Sequence, residues 1–182
     1  MKTRSKLTEI SSRLYLVFLM FLILIPAGTA AFWIFYNVIP QTLISVSTGL
    51  PGDFPIPPTL DGFQRLLGFL ISLLPLAAEV FAIVTIMRLL KLYREGIIFS
   101  AAHVLLFKRL GQTLICYGIA GIFHTTGLGL VMTMNNPPGQ RMLTLGMGSE
   151  DVSLFVVAAI VLMLSWVMEE GRKQAEEQAL TV

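Results

Sequence analysis

The chain has 182 residues, of which 55% are hydrophobic and 13% charged, with a net charge of +2 and one cysteine, Cys116. Soluble domains carry roughly a quarter charged residues, so a soluble globular fold is excluded, and a lone cysteine excludes an intrachain disulfide scaffold. A mean hydropathy of +0.77 points instead to the lipid bilayer as the surrounding solvent.

A membrane-crossing helix needs about 20 mostly apolar residues to span about 30 Å of hydrocarbon. Four runs qualify: 14–36, 66–90, 110–133 and 152–168. The pieces between them are all shorter than the roughly 50 residues an independent domain needs. The expected fold is therefore all-α, a single polytopic membrane domain over 1–182 built as a four-transmembrane-helix bundle. That leaves no room for a large soluble catalytic domain.

The first run follows the basic residues Lys2, Arg4, Lys6 and Arg13, and Gly28-Thr29-Ala30 would suit a signal-peptide cleavage site. The apolar stretch does not stop there. It continues through Phe32-Trp33-Ile34-Phe35-Tyr36 and ends in aromatics suited to an interface, which predicts a retained helix. The connection 37–65 carries Pro40, Pro51, Pro55, Pro57 and Pro58. Proline fixes φ and removes donors, so this connection is expected to be extended and irregular.

In the second run Ser72, Pro75 and Glu79 recur on one helical face, which should point into the bundle. Pro75 also deprives the Ile71 carbonyl of its usual donor. Segment 91–109 is the expected middle loop, with Ser100 placed to cap a helix entering the third run. Unbroken to Thr133, that helix would be about 50 Å long, more than a bilayer. Its first turns are expected along the interface, with Ile97, Ile98, Phe99, Leu105, Leu106 and Phe107 against lipid or the bundle. Lys108 and Arg109 would lie at the headgroups, and a bend is expected near Gly111.

The third run places Gly118, Gly121, Thr125 and Gly129 at spacings that let helices approach closely. Packing within the bundle is one use of such a face, and a homo-oligomer is the other. Thr113, Tyr117, Ala120 and His124 form a neighbouring inward stripe, and Cys116 reads as a small, inert apolar filler. Asn136-Pro137-Pro138-Gly139 is a turn signal. The fourth helix is expected to begin near Ser149–Asp151. The tail 169–182 is a mixed-charge stretch that can extend it.

Orientation follows from charge. With four spans both termini share one side, and that side holds eleven of the thirteen Lys and Arg residues. By the positive-inside rule the termini and the middle loop are cytoplasmic. The positive charge thus reports topology and gives no reason to expect direct nucleic-acid binding.

Glu79 and His124 are the ionisable groups well inside the spans. A carboxylate at mid-membrane must pair or take up a proton. Counted from the cytoplasmic ends, Glu79 and His124 lie within about two helical turns of each other in depth. They are therefore the expected intramembrane polar pair. The pair serves either as a clasp that fixes packing or as a proton- or cation-responsive site. No metal site is expected, since metals usually take three or four ligands. No phosphate-binding loop, His-Glu-x-x-His or Gly-x-Ser-x-Gly motif occurs. No catalytic residue, cofactor or enzymatic activity is therefore expected. On the cytoplasmic side Arg94, Glu95, Ser100, Glu169, Glu170, Arg172, Lys173, Glu176 and Glu177 are the candidate interaction residues.

Two stretches resemble a known family. The ending Trp166-Val167-Met168-Glu169-Glu170-Gly171-Arg172-Lys173, followed by Glu176-Glu177 and Leu180-Thr181-Val182, is similar to the tail of the bacterial membrane-protein family catalogued as domain of unknown function 2975. Tyr93-Arg94-Glu95-Gly96-Ile97-Ile98-Phe99-Ser100, with Val104 and Arg109-Leu110-Gly111, resembles its cytoplasmic signature. Gln174 and His103 depart from the family pattern. The resemblance implies a four-helix protein of the bacterial inner membrane without an established activity. It further suggests a cytoplasmic partner such as a small helix-turn-helix transcriptional regulator.

Overall fold

The computed structural model describes residues 2–50, 54–97, 100–137, 139–145 and 149–180. Pro51, Ile98, Phe99, Pro138, Thr181 and Val182, used in the sequence reading, lie outside the described residues. Four long helices account for most of the chain: α1 (Lys2–Phe35), α3 (Gly62–Arg94), α4 (Ala101–Thr133) and α5 (Ser149–Leu180). A short 3-10 turn (Tyr36–Val38) and helix α2 (Gln41–Thr48) follow α1. Among the described residues there is no strand. All four long helices contain a stretch long and apolar enough to cross a membrane.

Local chemistry sets the ends of α3. Asp61 and Gln64 form a capping box, with the Asp61 carboxylate accepting from Gln64 N at 2.7 Å and the Gln64 amide oxygen accepting from Asp61 N at 3.1 Å. At the other end Gly96 adopts φ +73°, a left-handed conformation only glycine takes readily. Ile97 N then donates to Leu92 O and Gly96 N to Tyr93 O, both at 3.1 Å, closing the helix with a Schellman motif. The chain reverses at once, and α4 begins at Ala101. The helix expected to follow Ser100 is thus present from Ala101, and the middle connection is shorter than 91–109 chiefly because α3 runs past its apolar run to Arg94.

Two further expectations change. The proline-rich connection is not irregular throughout: α2 forms directly after Pro40, where a missing N–H costs nothing, and stops at Gly49 with φ +64°. Cys116 is exposed on the outer surface of α4, so it fills no interior gap. α4 also remains helical through Gly111, where the missing side chain makes room for Leu162 of α5.

Each long helix packs on its neighbour in chain order, α1 on α3, α3 on α4 and α4 on α5. α1 and α5 therefore form the two edges, and they share no substantial contact. Their outer faces stay apolar and uncovered, as with Met20 and Trp166. This suits lipid, which gives apolar side chains no reason to hide from it.

The main buried core sits elsewhere, at the end bearing the long connections. Trp33, Tyr36, Ile44, Leu50, Phe54, Leu60, Leu128 and Met132 cluster there, beneath α2 and the proline-rich segment.

Candidate functional site

Helices α1, α3 and α4 meet at one polar node. Trp33 Nε1 donates to Ser72 Oγ at 3.0 Å. Ser72 Oγ lies 2.9 Å from Gly68 O and 3.1 Å from His124 Nε2. Gly68 makes the approach of α1 possible, since a Cβ there would fall 2.1 Å from the Trp33 ring. The Trp33 indole also stacks on Tyr36, with centroids 5.9 Å apart and planes 8° from parallel.

The hydroxyl of Ser72 has a single hydrogen to give. It goes either to Gly68 O or to His124 Nε2. When the hydroxyl serves Gly68, Nε2 must carry a hydrogen and donate to Ser72. When the hydroxyl serves His124, Nε2 is an acceptor and the imidazole is neutral. The node therefore has two hydrogen-bond arrangements that differ in where one proton sits.

Glu79 takes no part in it. Seven residues separate it from Ser72, about 10 Å along the helix axis. It is half-buried, and its carboxyl group has no hydrogen-bond or ion-pair partner among the described residues. Tyr117 of α4 lies within its electrostatic reach. The structure thus brings His124 to Ser72 and Trp33 rather than to Glu79. Two turns of depth, tolerable in a count along the sequence, are too many for side-chain contact. Thr113 and Ala120 of the inward stripe are buried, and Tyr117 and His124 are half-buried. Gly118 takes the Phe155 ring of α5 at 2.8 Å from a notional Cβ, so it serves packing between α4 and α5.

The other candidates gather at the end bearing both termini. Arg94 lies over the Tyr15 ring of α1, 5.4 Å from its centroid. Ser100 occupies the cap position of α4, but its hydroxyl makes no capping bond. It pairs instead with His103 Nδ1 at 2.9 Å, while the His103 ring lies 4.8 Å from Tyr93. His103 is fully buried and its Nε2 has no hydrogen-bond partner among the described residues. Its departure from the family pattern is thus accommodated by a hydrogen bond and a ring contact.

On α5, Arg172 bridges Glu169 at 3.1 Å and also pairs with Glu176. Glu170, Lys173 and Glu177 are exposed around them. Ser165 Oγ donates to Val104 O at 3.0 Å and so sets the level of α5 against α4. Beyond that level the last turns of α5 pass the start of α4 by roughly 18 Å. α1 does the same on the opposite edge, since Tyr15 is level with Arg94. Two helical extensions therefore flank the α3–α4 turn.

At the far end Asn135 Nδ2 donates to Asp61 at 2.9 Å, and Gln64 Nε2 donates to Val131 O at 3.0 Å. The bond from Gln64 N, followed by that from Asn135, holds the Asp61 carboxyl below the usual carboxylate range. The capping box Asp61-x-x-Gln64 can be read from sequence. The bonds to α4 cannot, because they depend on helix register. No group of three or more His, Cys, Asp or Glu suited to a metal occurs among the described residues.

The family model described as "Protein of unknown function (DUF2975)" matches residues 2–182. The chain belongs to this family. The match covers essentially the whole chain, including all of α5, whose end carries the most specific part of the resemblance. No curated protein and no solved structure matches the chain. The family description assigns no activity, so the functional reading rests on the residues themselves.

Proposed function

We propose that the protein is a multi-pass component of the bacterial inner membrane that engages a cytoplasmic regulatory partner, such as a small helix-turn-helix regulator, and is not an enzyme. Both termini and the α3–α4 turn face the cytoplasm in this reading, because the basic residues collect at that end. The observation that carries it is the continuation of α5 past the start of α4 as an ordered, ion-paired helix beside the turn. A helix extending beyond the bilayer with a mixed-charge surface serves no packing purpose of its own. Arg94 and Ser100 are engaged within the chain and act as supports. Glu95, Glu170, Lys173, Glu176 and Glu177 are exposed and offer the contact surface.

One observation favours a second reading. Glu79 is a carboxyl group within the helices that no described side chain satisfies. An intramembrane acid of this kind suits a small transporter or channel subunit in which Glu79 takes up and releases a proton or cation.

Affinity capture from gently solubilised membranes separates the two. The full chain, a chain ending at Met168 and the Glu79→Gln variant are compared, with co-purifying proteins identified by mass spectrometry. A regulator captured by the full chain and by Glu79→Gln, but lost on truncation, supports docking. Absence of any partner, together with ion flux in reconstituted vesicles abolished by Glu79→Gln, overturns it in favour of transport.

A further inference from the structure

One imidazole joins three helices at the end bearing the termini. His103 is fully buried in the first turn of α4. Its ring lies 4.8 Å from that of Tyr93 in the last turn of α3. Its Nδ1 lies 2.9 Å from Ser100 Oγ, and its backbone N–H donates to Ser100 O at 2.9 Å. The next residue, Val104, accepts the Ser165 hydroxyl of α5. Lys108 and Arg109 mark the headgroups in the reading above, and His103 stands five residues nearer the turn, about 8 Å further from the hydrocarbon. When the turn opens, the ring therefore meets water.

The closed site has room for one ring proton but not for two. Ser100 Oγ can donate to a bare Nδ1 or accept from a protonated one. Either way the neutral ring makes one hydrogen bond. In the cation both nitrogens carry hydrogens, and Nε2 has no hydrogen-bond partner among the described residues to receive its own. A charge enclosed in this way is costly. The charged groups around it are committed elsewhere or exposed. On α3, Arg94 lies over Tyr15 and Glu95 is exposed. On α4, Lys108 and Arg109 are exposed. On α5, Ala158, Leu162 and Ser165 face α4, and that face continues to Glu169 and Arg172, which pair with each other. Burial pushes the imidazole below its ordinary range.

We propose that His103 is a proton-sensitive latch on the α3–α4 turn. The neutral ring fits the closed turn. Once the turn opens, the ring takes a proton at its ordinary affinity and cannot return with it. The closed form binds fewer protons, so closure is fully favoured above about pH 6.5, the ordinary imidazole value, and is lost as pH falls below it. The hold of Val104 on Ser165 is one residue away, so opening also loosens α5. That consequence for a docked partner rests on the docking reading. The latch does not, and the test reads the latch alone.

The test follows hydrogen exchange of the full chain in mild detergent by mass spectrometry at pH 7.5 and 5.5, with rates corrected for the intrinsic effect of pH. One proton taken up at about pH 6.5 by the open form alone raises the opening constant about tenfold over this interval. Amides 105–107, whose helical acceptors lie in the first turn of α4, should lose protection by about that factor. His103→Asn keeps a hydrogen-bonding group near Ser100, and His103→Phe keeps a ring against Tyr93. Whichever of them folds should lose the difference between the two pH values. Glu169→Gln and His124→Gln should keep it. A change below twofold in the wild-type chain overturns the proposal. A difference that survives in a folded His103 variant, or vanishes in Glu169→Gln or His124→Gln, assigns the response to another group and also overturns it.

Discussion

Replacing Gly68 by alanine tests the central joint of the fold. A Cβ at this position falls 2.1, 2.3 and 2.7 Å from three atoms of the Trp33 ring, where ordinary contact begins at 3.4 Å. The indole must move by more than an ångström, or α1 must part from α3. Overpacking of this kind costs about 1–3 kcal/mol. Displacing the ring also breaks its bond to Ser72 and leaves a buried N–H unpaired, at a further cost of about 1–3 kcal/mol. Alanine recovers up to about 1 kcal/mol in helix propensity. The net expectation is a loss of about 1–6 kcal/mol.

Gly28→Ala is the matched control, because nothing lies within 4 Å of a Cβ there. It should be neutral or stabilising by up to about 1 kcal/mol. The assay is reversible unfolding in mixed dodecyl maltoside and SDS micelles, followed by fluorescence. A Trp166→Phe background removes the exposed second tryptophan and leaves Trp33 as the reporter. Gly68→Ala should lower the midpoint and shift native emission to the red. If it unfolds with Gly28→Ala and emits at the same wavelength, the Gly68–Trp33 joint does not exist as described.

Other outcomes follow from the same geometry. Ser72→Ala leaves Trp33 Nε1 and His124 Nε2 without their shared partner, and should cost about 1–3 kcal/mol in the same titration. His124→Gln, which keeps a donor near Ser72, should cost less than Ser72→Ala, and the reverse order would refute the node. The Asp61 carboxyl has a depressed folded pKa, so its stabilising effect is complete above its unfolded value of 3.8 and fades as pH falls through the lower folded value. The difference in thermal midpoint between wild type and Asp61→Ala should therefore be constant at neutral pH and shrink below pH 3.8. A difference that persists undiminished in strong acid would refute the assignment. Arg172→Ala removes both ion pairs of the α5 extension, so amides after Arg172 should exchange with solvent faster while those before Ser165 do not. Unchanged exchange in the extension would show that the ion pairs do not order it.

The number and order of long helices follow from apolar runs too long for anything but a bilayer, and that signal lies in consecutive residues. The same holds for the Asp61-x-x-Gln64 cap and for the Gly96 stop, both written in a few adjacent positions. The end of α3 was harder to read: its apolar run stops at Leu90, yet the helix continues through Lys91 to Arg94. Hydrophobicity marks where lipid begins, whereas a helix ends only where its backbone is capped.

The partners across helices were out of reach for a different reason. Glu79 and His124 stood out in composition because ionisable groups are rare in apolar runs. Composition locates such a group to within a turn or two of depth, but a hydrogen bond requires register to within one residue and the right face. Gly68 set that register for α1 by admitting the Trp33 ring, and the antiparallel turn at Gly96 set it for α4. Once both were in place, Ser72 and not Glu79 lay opposite His124. Which residues are polar within the spans is a property of the chain, but which of them touch is settled by how closely three helices can approach.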